Sequence, residues 1–195
     1  MSQKVKFFLW AVLSVALVVG ASVLYTMLID THEPEIAPIA ATPPITSNSV
    51  ENGDREEAVA APDFEMYDFD MNSVNLSDFF GKPIVISFWT SWCPACRMNM
   101  PYFQSVYEDI GNEVQFLMVA LVDGIRETIR TAENYIENGG YTFPVFYDTM
   151  GDGARGYQVA SIPTTIFIDS DGNLAGRLVG RLNEERLREF IDEIK

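Results

Sequence analysis

The sequence predicts an α/β fold, a central mixed sheet flanked by helices, and three observations point there. Apolar and β-branched runs at Ile84-Val85-Ile86-Ser87-Phe88-Trp89 and at residues 114–122 alternate with helix-period segments. A two-run hairpin pattern, residues 164–168 and 174–179, is followed by an amphipathic stretch that ends the chain. The first apolar run, hydrophobic on both faces as a central strand must be, leads directly into a helix start that carries both cysteines of the chain, Cys93 and Cys96.

Length and charge narrow the field. At 195 residues there is room for one ordinary domain with extensions. The formal net charge is −15, divided as +2 up to residue 29, −6 over 30–62 and −11 beyond, so the acidity is spread over linker and domain. Such a balance argues against nucleic acid and against docking on anionic headgroups. His32 is the single histidine and lies ahead of the folded part. His-based triads and His-ligated zinc are thereby excluded from the domain.

Taken in order, the chain opens with Lys4 and Lys6 ahead of an uncharged run of 23 residues, 7–29, ended by Asp30. That exceeds the ~20 residues a bilayer-spanning helix needs. Residues 1–29 are therefore expected to be a single-pass transmembrane anchor, with the N-terminus cytoplasmic and the domain on the extracytoplasmic side. A cleaved signal peptide is the rival reading, but its apolar region should be shorter, about 7–15 residues. Residues 30–61 are rich in Pro, Ala, Thr and Glu and are expected to be a disordered or polyproline-like tether.

The domain is expected to span 62–195. Phe64 and Met66, then Val74 and Leu76, bracket a polar turn and suggest a small hairpin; residues 76–83 make a helical turn closed by Gly81 and Pro83. Pro94 to about residue 110 reads as a helix with a kink at Pro101. A helix over about 125–138 stops at Gly139-Gly140, then come a strand at 144–147 and a short helix at about 149–157. The turn Asp169-Ser170-Asp171-Gly172-Asn173 lacks the distant glutamate of a calcium loop and reads as a hairpin turn. Asn183 is placed to cap the last helix.

The chemistry sits at Trp92-Cys93-Pro94-Ala95-Cys96. Pro94 suits a first helical position, so Cys93 falls at the N-cap, where unpaired N–H groups and the helix dipole favour its thiolate. Cys96 follows three residues later on the same face. The pair reads as a dithiol/disulfide couple with Cys93 as nucleophile and Cys96 as resolving thiol. A purely structural disulfide closing so short a loop would be a poor staple.

This pentapeptide after a hydrophobic strand resembles the active site of the thioredoxin superfamily. Ser161-Ile162-Pro163-Thr164-Thr165 is similar to the family's cis-proline loop. With the N-terminal run and the helix–strand insertion between Asp123 and Asp148, residues 62–195 resemble the TlpA/ResA-type membrane-anchored thioredoxin-like thiol–disulfide oxidoreductases. The resemblance implies a thioredoxin fold with an N-terminal β-hairpin and a central helix–strand insertion. It also implies a cis Ile162–Pro163 bond and a substrate-binding surround made by Trp92, Pro94, Ile162, Pro163 and Gly180. No cofactor is implied beyond a redox-active Cys93–Cys96 disulfide, and no metal. Implied partners are disulfide-containing exported proteins, such as apocytochrome c during its maturation, and a membrane dithiol electron donor of the CcdA/DsbD kind.

The chain departs from that pattern in two places. Many thioredoxins have a buried Asp where this chain has Ser87, and TlpA/ResA-type proteins often have Glu where it has Asn99. The usual carboxylate proton acceptor for the resolving thiol is thus missing. Asp123 is a candidate, with helix capping its more ordinary role. Two other activities compete with reduction. One is disulfide-forming oxidation, which a reduction potential separates. The other is a copper chaperone using Cys93, Cys96, Met98 and Met100. Peroxidase chemistry is disfavoured because no Thr-x-x-Cys motif is present.

Overall fold

A computed structural model describes residues 58–195. The expected anchor and most of the tether lie outside the described residues. Among the described residues no helix is long and apolar enough to cross a membrane.

Seven strands form one mixed sheet: β1 Glu65–Tyr67, β2 Ser73–Asn75, β3 Ile84–Trp89, β4 Gln115–Leu121, β5 Val145–Asp148, β6 Thr164–Ile168 and β7 Leu174–Val179. Their order across the sheet is β2-β1-β5-β4-β3-β6-β7. Four helices complete the domain: α1 Pro94–Ile110, α2 Ile129–Gly139, α3 Asp152–Gly156 and α4 Glu184–Ile194. A 3₁₀ turn, Leu76–Phe79, follows the N-terminal hairpin.

β3 is central because all six of its residues are buried, and it pairs in parallel with β4 and antiparallel with β6. Alternation along the strands feeds two cores. Val85, Trp89, Met118 and Phe167 face Met100 and Phe103 of α1, Ala132 and Ile136 of α2, and Leu187 and Ile191 of α4. Ile84, Ile86, Phe88, Leu117 and Val119 face Phe64, Leu76 and Tyr157 on the other side. The inserted β5 pairs with β4 and β1 and joins the hairpin to the sheet.

Strand directions decide where the loops gather. β3 and β4 run parallel, β6 antiparallel to β3, and β7 antiparallel to β6. The C-terminal ends of β3, β4 and β7 and the N-terminal end of β6 therefore share one edge. The β6–β7 turn lies at the opposite edge. There the chain enters the domain, with the Ala61 N–H donating to Gly172 O at 2.9 Å and the Leu174 N–H to Val59 O at 2.7 Å. Asp169 Oδ1 closes that turn by accepting the N–H groups of Asp171 and Asn173 at 3.0 and 2.8 Å, as a hairpin turn rather than a calcium loop.

Two element boundaries differ from expectation. α2 begins at Ile129, not near 125, because Thr128 is its N-cap and accepts the Thr131 N–H at 3.1 Å. Asp123 does not cap this helix: its Oδ1 accepts the N–H groups of Ile125, Arg126 and Glu127 at 2.9, 2.7 and 2.8 Å and closes the loop ahead of it. α3 is confined to 152–156, its start held by Asp148, whose carboxylate accepts the N–H groups of Asp152 and Ala154, each at 2.9 Å. Pro101 lies inside α1, which continues to Ile110.

Candidate active site

β3 runs into α1 through Thr90-Ser91-Trp92, and Cys93 is the N-cap of α1 with Pro94 at its first position. The Cys93 Sγ accepts the Cys96 N–H at 3.3 Å, so a backbone donor points at the sulfur as the cap position predicts. On its other side the Cys93 thiol donates to the Ile162 carbonyl at 3.8 Å. Both cysteines are free thiols, Cys93 5 % and Cys96 1 % exposed. Burial, and then the hydrogen bond to Cys93, push the Cys96 thiol far up, with the Thr90 backbone opposing only in part. The two sulfurs differ in kind: one lies beside the Ile162 carbonyl, while the other is more deeply buried and its thiol is pushed up.

All the residues expected at the site meet at this one sheet edge. The Ile162–Pro163 bond is cis, Pro163 is buried and Ile162 half-buried. Trp92 keeps 38 % of its surface exposed, and Pro94 is exposed beside it. Gly180 donates its N–H to Pro163 O at 2.8 Å. Its φ of +96° is what demands glycine, since a Cβ there would meet nothing within 4 Å. Met98 and Met100 part company: Met98 is 47 % exposed, while Met100 is 1 % exposed and packs in the core cluster that includes the two cysteines. Among the described residues no group of three or more His, Cys, Asp or Glu could hold a metal ion.

The two substituted positions have work of their own. Ser87 is buried between Met118 of β4 and Thr165 of β6. Asn99, also buried, accepts the Leu182 N–H at 3.2 Å and donates to Gly180 O at 3.4 Å, tying α1 to the segment after β7. Asp123 is a poor proton acceptor, since the three N–H groups it receives hold its carboxyl below the ordinary range.

One acid at the site has no sequence signal. Glu127, in the loop after β4, is fully buried, and its Oε2 accepts both the N–H and the Oγ–H of Ser91, at 3.0 and 2.7 Å. Its other oxygen, Oε1, is buried without a partner. Burial raises the pKa of this carboxyl, Asp123 adds to the rise, and the Ser91 bonds oppose it. Beside it Arg126 lays its guanidinium 3.5 Å over the Trp92 ring. The loop after β4 therefore grips two consecutive residues, Ser91 and Trp92, of the strand-to-helix turn that presents Cys93.

A dithiol at a helix start, a cis-proline loop beside it and this sheet order define a thioredoxin-fold thiol–disulfide oxidoreductase. The AhpC/TSA family model matches residues 58–177, and the chain belongs to that family, in its TlpA/ResA-type thioredoxin-like branch. The thiol-disulfide oxidoreductase ResA of Oceanobacillus iheyensis is 32% identical over 139 residues, 69% of this chain and 71% of that protein. The crystal structure of StoA from Bacillus subtilis superposes with a TM-score of 0.59 at 27% identity, covering 68% of this chain and 98% of StoA. That of Etrx1, an exposed lipoprotein thioredoxin of Streptococcus pneumoniae, gives 0.61 at 28% identity, covering 68% and 99%.

Proposed function

We propose that this enzyme is anchored in the cell membrane by residues 1–29, faces the extracytoplasmic side and reduces disulfides in exported proteins through Cys93-Pro94-Ala95-Cys96. The observation that carries the reading is the asymmetry of the two sulfurs: Cys93 at the N-cap receives the Cys96 N–H, and Cys96 is buried, which pushes its thiol up. Lys4 and Lys6 ahead of the apolar run, and a relative described as an exposed lipoprotein, support the location.

In the reaction the Cys93 thiolate attacks one sulfur of the substrate disulfide. A mixed S–S bond forms, and the second substrate sulfur leaves as a thiolate that takes up a proton. Cys96 then gives up its proton and attacks the Cys93 sulfur, releasing the other substrate thiol and closing Cys93–Cys96. Two electrons pass to the substrate and the protein is left oxidised. Ile162 and Pro163 would align the substrate backbone, with Trp92, Pro94 and Gly180 lining the groove. A membrane dithiol carrier of the CcdA/DsbD kind would restore the dithiol, and apocytochrome c is the substrate type the family implies.

The decisive experiment uses a Cys96→Ala variant in cells, where the mixed disulfide cannot resolve. Covalent adducts to exported cysteine proteins are expected, and their absence, with adducts instead on cytoplasmic proteins, overturns the location. A reduction potential at the oxidising end of the thioredoxin-fold range, ≈ −120 mV rather than ≈ −270 mV, would make the enzyme an oxidase instead.

A further inference from the structure

The domain is acidic, with −11 over residues 63–195, yet the edge that bears the dithiol carries unpaired arginines. Among the described residues the ion pairs are those of Arg155, Arg188 and Lys195; none involves Arg126, Arg181 or Arg186. Arg126 is stacked on Trp92, next to the nucleophile. Arg181 directly follows Gly180, whose N–H is bonded to Pro163 O, and Arg181 and Arg186 line an open groove of about 340 Å³ with Tyr102 and Leu182. Asn99, one turn along α1 from Cys96, bonds to Gly180 and Leu182, the residues on either side of Arg181.

Sheet order sets these cations on opposite flanks. β4, which leads to Arg126, lies on one side of β3; β6 and then β7, which leads to Arg181, lie on the other. A substrate strand laid along Ile162 would meet a guanidinium to each side of its cysteine. The acids nearest these cations are largely engaged. Asp123 accepts three backbone N–H groups, Glu127 is buried against Ser91, and Glu184 is paired with Arg188. Glu185 stays exposed next to Arg186.

Resting on the disulfide-reducing reading above, we propose that Arg126 and the Arg181–Arg186 groove select polypeptide substrates with acidic residues flanking the reducible cysteines. A guanidinium stacked on a ring keeps its N–H fork free for a carboxylate. The negative remainder of the domain repels an acidic partner everywhere else, so such a partner docks in one orientation.

The test follows a single turnover of the pre-reduced full chain, in non-ionic detergent, on two oxidised peptides with the same disulfide loop, flanked by Glu in one and Gln in the other. At about 20 mM salt the second-order rate constant for the Glu peptide should exceed that for the Gln peptide about tenfold, and at about 0.5 M salt the ratio should fall below about two. In R181A/R186A the low-salt ratio should drop severalfold, and in R181E/R186E it should fall below one. Because the readout is a ratio, a general folding defect lowers both rates and leaves it in place. A ratio near one in the unaltered protein, or a tenfold ratio that survives R181A/R186A, overturns the proposal. Reduction of neither peptide overturns the disulfide-reducing reading, and this proposal with it.

Discussion

The loop after β4 and the segment after β7 flank the same two thiols, but they are built differently. The first presents a buried carboxylate, Glu127, with one oxygen bonded to Ser91 and the other unpartnered. The second is braced by a neutral amide, Asn99, whose oxygen and nitrogen both find backbone partners. The acid thus stands where it holds the backbone ahead of the nucleophile. Cys96 is shifted by burial, by Cys93 and by backbone groups, and by no carboxylate. On the first flank an acid holds the backbone ahead of Cys93, and on the second an amide does the equivalent bracing without a charge.

The largest expected effect comes from breaking the acidic flank. Glu127→Ala leaves Ser91 without its acceptor and lets the Cys93 turn drift, and a displacement of 1 Å can lower a rate by about a hundredfold. Single-turnover disulfide reduction should slow by that order, while Glu127→Gln, which keeps an oxygen for Ser91, should restore most of the rate. A Glu127→Ala enzyme as fast as the unaltered protein would erase the distinction between the flanks.

Asn99 should matter more for stability. Asn99→Leu strands the Leu182 N–H and should cost about 1–2 kcal/mol in urea unfolding. Asn99→Glu moves an acid to the neutral flank. A like charge there should raise the pH at which Cys96 ionises, seen in thiolate absorbance, and should speed release of the mixed disulfide by offering a proton acceptor. If release is unchanged, proton removal from Cys96 does not limit turnover.

The pH dependence of stability sharpens the contrast further. Burial holds the Glu127 carboxyl above its ordinary 4.5, so the folded state binds this proton more tightly than the unfolded state does. Its contribution is full below about 4.5 and is lost as pH rises through the folded value. The stability of the unaltered protein relative to Glu127→Gln should therefore decline from pH 4 to pH 7, whereas the difference from Asn99→Leu should stay level. Denaturant titrations at the two pH values decide it.

The smallest effect is expected from Arg126→Ala, which uncovers the Trp92 ring at a cost of about 0.5–1 kcal/mol. Urea unfolding should register a loss of that size and no more.

What the sequence made legible was what depends on neighbours in the chain. Cys93, Pro94 and Cys96 declare a helix start within four residues, and the apolar, β-branched runs of β3, β4 and β6 declare buried strands. Asn183 caps α4 as expected, accepting the Arg186 N–H at 3.0 Å. Glu127 could not be found this way, because its burial comes from docking on Ser91, 36 positions earlier. Ile125 misled the reading of α2: it looks like the first apolar residue of a helix face but is 92 % exposed at the tip of the loop that Asp123 closes. Asn99 was legible as a departure from the family's pattern, whereas its bonds to Gly180 and Leu182 were not, since they join segments more than 80 residues apart.

The stitching of residues 59–61 to the β6–β7 turn bears on how the enzyme can be presented to its partners. The chain enters at one pole of the sheet, and the thiols lie at the other, a strand's length of about 20 Å away. If the chain is tethered upstream as proposed, the tether joins the domain at the pole remote from the thiols, so its attachment does not cover them. Changing the length of the leash then changes how far the thiols can range, while the strand ends that carry them stay as they are.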